Sequence, residues 1–518
     1  MKMRISVSIE NEDESAFTES TTREFSIPGV EAFTGSEVFD QVFEQYEREV
    51  LEARNGVVKE ATEKYVSEVG KKKTQSELDV QGGELLTRPK EYPIEAEAGQ
   101  LEIDTFEIKK GSRKVFSTKR DVFPETGPRE RHKTVCFREI AVFSCCDLPF
   151  RKSAEKLNRM LRRKEGQMVQ PRTLANLVER EGEAIAACVE DKAKTILKCH
   201  DFTDEGICTG DTSCYGLLAN ESFLPKERVS QAGKELNDIL PKERQIDVES
   251  LQGTCEDPTQ VKALISVDDV LCKKQKASGR KRGSPSPKKK ERVKNTVAHI
   301  QSGKGETYTV TTATIAQMMM VLVAFLLSNG LVLIRGPVVF FTDGAEDLLV
   351  PIQKIFAFLP FKLILDWYHL DKKCQQRLSM AMKGKEKRNT VLQELLAWLW
   401  IGKVDQAIHF LRSLDPDGIR DTEHIEKLIG YFSRNLSFIP CYALRQKLGL
   451  RVSSNPVEKA NDLLVSNRQK HNGMSWSPSG SHSLAILTSL RRNDEHMQWL
   501  LHHDIRFQFD AAAQKPAA

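Results

Sequence analysis

The spacing of apolar residues changes character several times along the chain. Over residues 39–69, Phe39, Phe43, Tyr46 and Val50 recur on one face at helical spacing, which predicts an amphipathic helix. Gln81-Gly82-Gly83 and Arg88-Pro89 mark loops, and weak alternation over 102–122 predicts a hairpin about Lys110-Gly111-Ser112. Within 149–183, Ala154, Leu157, Met160 and Leu161 form an inward helical stripe closed by Glu165-Gly166. Pro171 then opens a second helix, with Leu174, Leu177 and Val178 inward. Two short helices with a Gly-containing connection fit either a helix-turn-helix or a plain helical hairpin. In the first case Arg172, Thr173 and Asn176 lie exposed where such motifs read bases.

From Val261 the pattern turns to strands alternating with helices. Apolar runs at 263–270, 295–299, 307–312, 337–342 and 361–365 read as strands, the first reaching Asp268-Asp269 and the fourth ending at Asp343-Gly344. Between them, residues 315–334 read IAQMMMVLVAFLLSNGLVLI, about the length that spans a bilayer. Ser328-Asn329-Gly330 interrupts this run, leaving an apolar helix over 314–327 better suited to a protein core, with Met318–Met320 buried. Residues 371–450 are helical in pattern and rich in Lys, Leu and Trp. Two more helices follow, at about 456–470 and 481–492. Strands interleaved with helices predict an α/β fold built on a mixed sheet.

Charge adds a direction to this picture. The 518 residues carry a net charge of only +4, but residues 1–60 hold 6 Lys/Arg against 14 Asp/Glu, so the excess of basic residues falls on the rest of the chain. A basic body behind an acidic leader suggests a polyanionic partner, although ordinary surface solvation gives the same tally. Residues 280–294 (RKRGSPSPKKKERVK) concentrate eight Lys/Arg among Gly and Pro and read as a solvated loop. In it Lys288, Lys289 and Lys290 are candidates for phosphate contact. The 11 cysteines are irregularly spaced, and Met1-Lys2-Met3-Arg4 leads into mixed polar sequence rather than an apolar signal core. The expectation is a reducing cytosol, free thiols and no membrane. Cys199, His200, Cys208 and Cys214 lack the paired Cys-x-x-Cys knuckle, which leaves a zinc site open.

Three acids stand where elements begin or end: Asp268 (or its neighbour Asp269), Asp343, and Glu458 in the first turn of a helix opened by Ser454-Asn455-Pro456. Acids at the carboxyl ends of sheet strands lie in the crevice where α/β folds place their sites. Three convergent carboxylates suit two Mg²⁺ or Mn²⁺ ions, hard cations that take oxygen ligands. Each acid alone also has an ordinary role, Asp before Gly as a turn signal and Glu as a complement to a helix dipole.

Three blocks together carry a resemblance. They are Thr342-Asp343-Gly344-Ala345, Leu365-Asp366-Trp367-Tyr368-His369, and the run from Ser454 to Ser477 that holds Asn455-Pro456-Val457-Glu458 and Arg468-Gln469-Lys470-His471-Asn472-Gly473-Met474-Ser475-Trp476-Ser477. The chain over about 150–500 resembles bacterial insertion-sequence transposases of the DDE class. The resemblance implies an RNase H-like mixed sheet with a helical insertion at 371–450, preceded by a mainly helical helix-turn-helix domain. The expected organisation is an acidic N-terminal region at 1–125, a DNA-binding region at 126–260, the catalytic domain at 261–500 and a tail at 501–518. Asp268, Asp343 and Glu458 match the catalytic, metal-holding acids, with Asp269 the alternative first acid and Asp366 and His369 a supporting pair. Arg468 and Lys470 join Arg172, Thr173, Asn176 and Lys288–Lys290 as DNA contacts, while Trp476 fits packing better than stacking. The implied activity is Mg²⁺- or Mn²⁺-dependent cleavage and strand transfer at the terminal inverted repeats of an element, on double-stranded DNA. Self-association on DNA and a nucleoid-associated location in a bacterial cytoplasm go with it. The alternatives are a catalytically inactive DNA-binding derivative and a structure-specific nuclease with the same core.

Overall fold

The computed structural model describes residues 2–10, 18–26, 36–86, 88–123, 131–163, 165–215, 222–275, 291–470 and 474–509. The chain separates into two compact units, Met1–Asn176 and Leu177–Ala518. The division falls within the segment 126–260.

In the first unit, β1 (Lys2–Glu10) and β2 (Thr18–Ser26) form an antiparallel pair ahead of α1 (Ser36–Gln81). This helix has 46 residues and runs past the expected span at both ends, and Phe43 is exposed on it rather than inward. The short β3 (Glu84–Leu85) is followed by β4 (Lys90–Ala96) and β5 (Gly99–Thr105), whose Tyr92, Ile94, Leu101 and Ile103 pack against Val66 of α1. The hairpin forms between β6 (Glu107–Lys110) and β7 (Arg113–Ser117), turning at Gly111, where φ is +63°. Then come α2 (Thr118–Val122), β8 (His132–Lys133), α3 (Val135–Asp147) and α4 (Phe150–Met160). On α4, Ala154 and Leu157 are buried, as is Leu161 just past its end, but Met160 is half exposed and leaves the expected stripe.

The next helix, α5 (Pro171–Cys199), has 29 residues and does not stop near 183. From Leu177 onward it belongs to the second unit and lies against α16 (below). A Cβ at Gly182 would overlap that of Ser483, and Ser477 Oγ donates to Glu179 Oε1 at 3.0 Å. This packing prolongs the helix beyond what its caps alone indicate.

The second unit continues with α6 (Lys226–Ile239) and a five-stranded mixed sheet: β9 (Ala263–Lys273), β10 (Arg292–Ser302), β11 (Thr307–Thr312), β12 (Val338–Thr342) and β13 (Phe361–Leu365). The spatial order is β11-β10-β9-β12-β13, with β10 antiparallel to both neighbours and β9, β12 and β13 parallel. The helix α7 (Ile315–Ser328) is buried from Met318 to Leu327 and starts at Thr314, whose hydroxyl accepts from Gln317 N. It covers one face of the sheet, where Phe325 stacks on Tyr308 at 4.5 Å. Among the described residues no helix is long and apolar enough to cross a membrane. Residues 505 and 507, expected in a tail, are buried instead, with Phe507 edge-on to Phe325 at 5.4 Å. The basic run including Lys288, Lys289 and Lys290 lies outside the described residues, and its expected end at 292–294 is already part of β10.

Between β12 and the last helices run α8 (Glu346–Ile355), α9 (Trp367–Ala381), α10 (Lys385–Trp400), α11 (Val404–Arg412), α12 (Thr422–Arg434) and α13 (Tyr442–Lys447). From α9 onward they share one core with the sheet, in which Val339, Phe341 and Ile364 meet Leu395, Leu428, Phe432 and Tyr442. The chain then forms α14 (Asn455–Asn461), a π-helical turn (Asp462–Ser466), α15 (Asn467–Gln469), α16 (Pro478–Arg492) and α17 (His496–His502). Val457, Ala460, Leu464, Val465 and Ala485 cover Val270 and Val297 on the sheet.

A buried ion pair fastens the helical insertion to the sheet. Glu256 accepts from Arg445 Nη1 at 2.9 Å, from Arg445 Nη2, and from Lys362 Nζ of β13 at 3.0 Å. Burial opposes its charge, but the Arg445 and Lys362 cations outweigh that and hold its pKa at about 2. Because this value lies below the ordinary carboxylate range, the stabilisation is complete above about pH 4.5 and is lost as pH falls toward 2. Glu256→Gln should cost about 3–5 kcal/mol at neutral pH by leaving Arg445 buried without its counter-charge. It should also flatten the acid limb of stability against pH, measured by urea unfolding across that window.

Candidate metal centre

Strand register sets the first layer of the site. Val338 lies opposite Ala263 and Phe341 opposite Ser266, so extending the pairing two residues brings Asp343 level with Asp268. On the other side Thr342 pairs with Leu365, and Asp366 N donates to Thr342 O at 2.8 Å, so Asp366 comes level with Asp343. Residues in register on parallel strands present their side chains to the same face. Asp268 does not end its strand as expected. β9 runs on to Lys273 because β10 pairs with its whole length, whereas β12 stops short of it. Asp268 therefore stands where one neighbour has ended and the other continues.

Helix starts add the second layer. Asp366 is fully buried and caps α9, its Oδ1 accepting from His369 N at 2.9 Å, while its Oδ2 accepts from Ser454 N at the mouth of α14. Burial works against its ionisation, yet these bonds and the neighbouring imidazole lower its pKa. One turn into α14, Glu458 meets His369, with Oε1 3.1 Å from Nε2. His369 Nδ1 is 3.5 Å from Asp366 Oδ1, an ion-pair separation without a hydrogen bond's alignment.

Asp268, His369 and Glu458 each offer a ligand atom within 4.8 Å of the others, the one such group of His, Cys, Asp or Glu among the described residues. Burial raises the pKa of Asp268 to about 6, with Glu458 and Asp343 adding to the rise and His369 opposing it. His369 moves the other way. Burial alone would lower it, but Asp366 and Glu458 carry it to about 10, so the imidazole is a cation among carboxylates. Asp343, expected as the second acid, is not a member of this group; it acts on Asp268 through its charge, and its Oδ1 accepts from Ala345 N at 2.9 Å. It opens onto a cleft of about 740 Å³ shared with α9 and α12.

Of the two candidates for the first acid, Asp268 joins the group. Asp269 is bound by Thr296 Oγ1 at 2.7 Å and by Lys294 Nζ. Asp268 Oδ2 instead accepts from Asn461 Nδ2 at 2.6 Å. Asn461 lies three residues after Glu458 on the same helix face, a spacing visible in the sequence. Two tyrosines of the insertion also bear on the site without any such signal. Tyr431 donates to Asp343 O at 2.8 Å and Tyr442 to Leu365 O at 2.7 Å, pinning the ends of β12 and β13.

The expected DNA contacts divide. Arg172, Thr173 and Asn176 are exposed in the first turns of α5, and Lys470 is exposed. Arg468 is buried, its guanidinium 5.0 Å from the ring of Trp476 and its Nη1 bonded to Met474 Sδ at 3.3 Å, which removes it from the surface. Trp476 is buried as packing requires, donating from Nε1 to Gln469 O at 3.2 Å. Cys199, His200, Cys208 and Cys214 form no ligand group among the described residues, and all 11 cysteines are free thiols.

The donor set fits hard divalent cations. Asp268 and Glu458 offer carboxylate oxygens and His369 a ring nitrogen, and Asn461 Oδ1 is buried with no hydrogen-bond partner. Comparisons with protein-family models, with curated proteins and with solved structures find no match.

Removing the Asp366 carboxylate should loosen both helix starts at once. Asp366→Ala is expected to lower stability by about 2 kcal/mol or more in urea unfolding, from two lost backbone bonds at buried helix termini. Gly344, at φ +75°, has Leu365 Cδ1 2.7 Å and Asn435 Oδ1 2.8 Å from where a Cβ would sit. Gly344→Ala should therefore displace Asp343 and lower stability by about 1–3 kcal/mol in urea unfolding.

Proposed function

We propose that this protein cleaves and transfers DNA phosphodiester bonds with divalent cations held by Asp268, Asp343 and Glu458, as a transposase of the DDE class. The observation that carries this reading is the meeting of Asp268, His369 and Glu458 within 4.8 Å from positions remote in sequence, with the charge of Asp343 felt at Asp268. The strand order β11-β10-β9-β12-β13, with β10 alone antiparallel, supports an RNase H-like core with the insertion between the second and third acids.

Bound there, Mg²⁺ or Mn²⁺ would activate a water or a 3′-hydroxyl for attack and stabilise the leaving 3′-oxygen. The chain's own groups prepare the site. Asn461 fixes one oxygen of Asp268, and Tyr431 fixes the carbonyl of Asp343. Asp366 aligns the helix that carries Glu458 through Ser454. His369 balances carboxylate charge from within the cluster and serves as a positioning residue. Arg172, Thr173 and Asn176, exposed at the start of α5, support a helix-turn-helix contact with double-stranded element ends.

Incubation of supercoiled plasmid carrying the element ends with Mg²⁺ or Mn²⁺ tests the reading. Wild type is expected to nick it and to join the freed ends to target DNA. Asp268→Asn and Glu458→Gln should each lose roughly a hundredfold or more in rate. Equal activity in wild type and both variants would refute the acid assignment. Hydrolysis without joining would point to a nuclease.

A further inference from the structure

The first unit holds a second constellation that the metal centre does not use. α4 ends in a concentration of arginine: Arg159 in its last turn, then Arg162 and Arg163 immediately beyond. With Arg48 of α1 and Arg151 they line a cleft of about 720 Å³. The acids there are fewer, and one of the two, Glu155, is already bonded to Arg151 at 3.0 Å and Lys152 at 2.9 Å. Cations near a helix C-terminus complement its dipole, which is reason enough for Arg159 and Arg162. It does not account for Arg163.

The Arg163 side chain is almost wholly buried, over the Phe137 ring at 5.5 Å. Nη2 donates to Ala96 O at 2.8 Å and lies 3.5 Å from Glu95 Oε2, while Nε and Nη1 have no hydrogen-bond partner among the described residues. A buried guanidinium with unmade bonds is costly, and its fork of donors matches the oxygens of a phosphate. Arg162 takes a left-handed backbone, φ +48°, in the turn that delivers both residues to the cleft wall. The rest of the lining includes Ala154, Met168, Val169 and Pro171, an apolar surface suited to a flat ring. The volume is that of a small-molecule site and far exceeds what a lone phosphate fills.

We propose that this cleft binds a nucleotide, its phosphate held by Arg163 from below and by Arg159 and Arg162 from the sides, its base against the apolar wall. The nucleotide is either free or one unit of a nucleic-acid strand, and the recognising chemistry is the same. None of its residues takes part in the metal centre, and the proposal does not rest on the acid assignment.

Titration of the full-length protein with fluorescein-labelled oligothymidylate by anisotropy, and with adenosine monophosphate by calorimetry, tests this. Arg159→Gln/Arg162→Gln, at positions outside the core, should weaken binding of the responding probe about tenfold or more. Arg163→Lys keeps the charge but loses the fork and should weaken it similarly, with circular dichroism checking the fold. The titrations are run without divalent cation, which separates this outcome from that of the nicking assay. Competition of adenosine monophosphate with the oligonucleotide assigns a free nucleotide, and loss of oligonucleotide binding alone assigns a strand. Failure of wild type to bind either probe, or unchanged affinity in both arginine variants, overturns the proposal.

Discussion

The buried carboxylate of Asp366 is the contact on which the arrangement of the second unit turns. It sits at the end of β13, and its two oxygens accept backbone N–H groups from the starts of α9 and α14. Those helices begin 88 residues apart in the chain by that bond's own span, yet one side chain fixes both. Helix starts carry unsatisfied donors and favour negative charge, so two of them together can hold a carboxylate ionised where burial alone would neutralise it. His369 and Glu458 are each within about one turn of a bonded N–H, and their 3.1 Å approach follows from that common anchor.

A second constraint comes from the two packing layers on this face of the sheet. Val339, Phe341 and Ile364 belong to the core shared with the insertion, while Val270 and Val297 belong to the core under α14 and α16. Asp268 lies at the seam, where neither set of apolar side chains covers it fully. The insertion closes one side with tyrosine hydroxyls on strand-end carbonyls, and α14 closes the other with Asn461. Immediately beyond, the helix widens into a π turn over Asp462–Ser466, which lets Leu464 and Val465 both reach the core.

Much of the second unit could be read from its residues because local pattern and tertiary role agree there. The segments 307–312 and 361–365 form strands at those limits, and α7 is an unbroken apolar helix with a threonine cap. What escaped the pattern depends on partners. Alternation does not say that β9 outlasts β12, so Asp268 read as a strand end. Nor does it say that Arg468 folds over Trp476, or that Gly182 lets α5 press on Ser483 and continue to Cys199. Tyr431 and Tyr442 sit in helices whose stripes show only that they are inward, not that their hydroxyls reach strand-end carbonyls.

The contrast between Asp268 and Asp269 bears on what the centre is for. They are adjacent in one strand and point to opposite faces, and only one is answered by a cation of its own. Lys294 and Thr296 satisfy Asp269, an ordinary surface ion pair of small net value. Asp268 has a neutral amide as its hydrogen-bonding neighbour and shares its surroundings with Glu458 and Asp343. The imidazolium of His369 is the cation set among those acids, and it is already engaged with Glu458. Carboxylates gathered in partial burial repel one another, and a protein core built for stability alone would have replaced one of them with a neutral group. An arrangement that keeps them all, aligned by backbone bonds rather than neutralised by lysine or arginine, is one that the proposed divalent cation would relieve, since it would supply positive charge without requiring the acids to protonate.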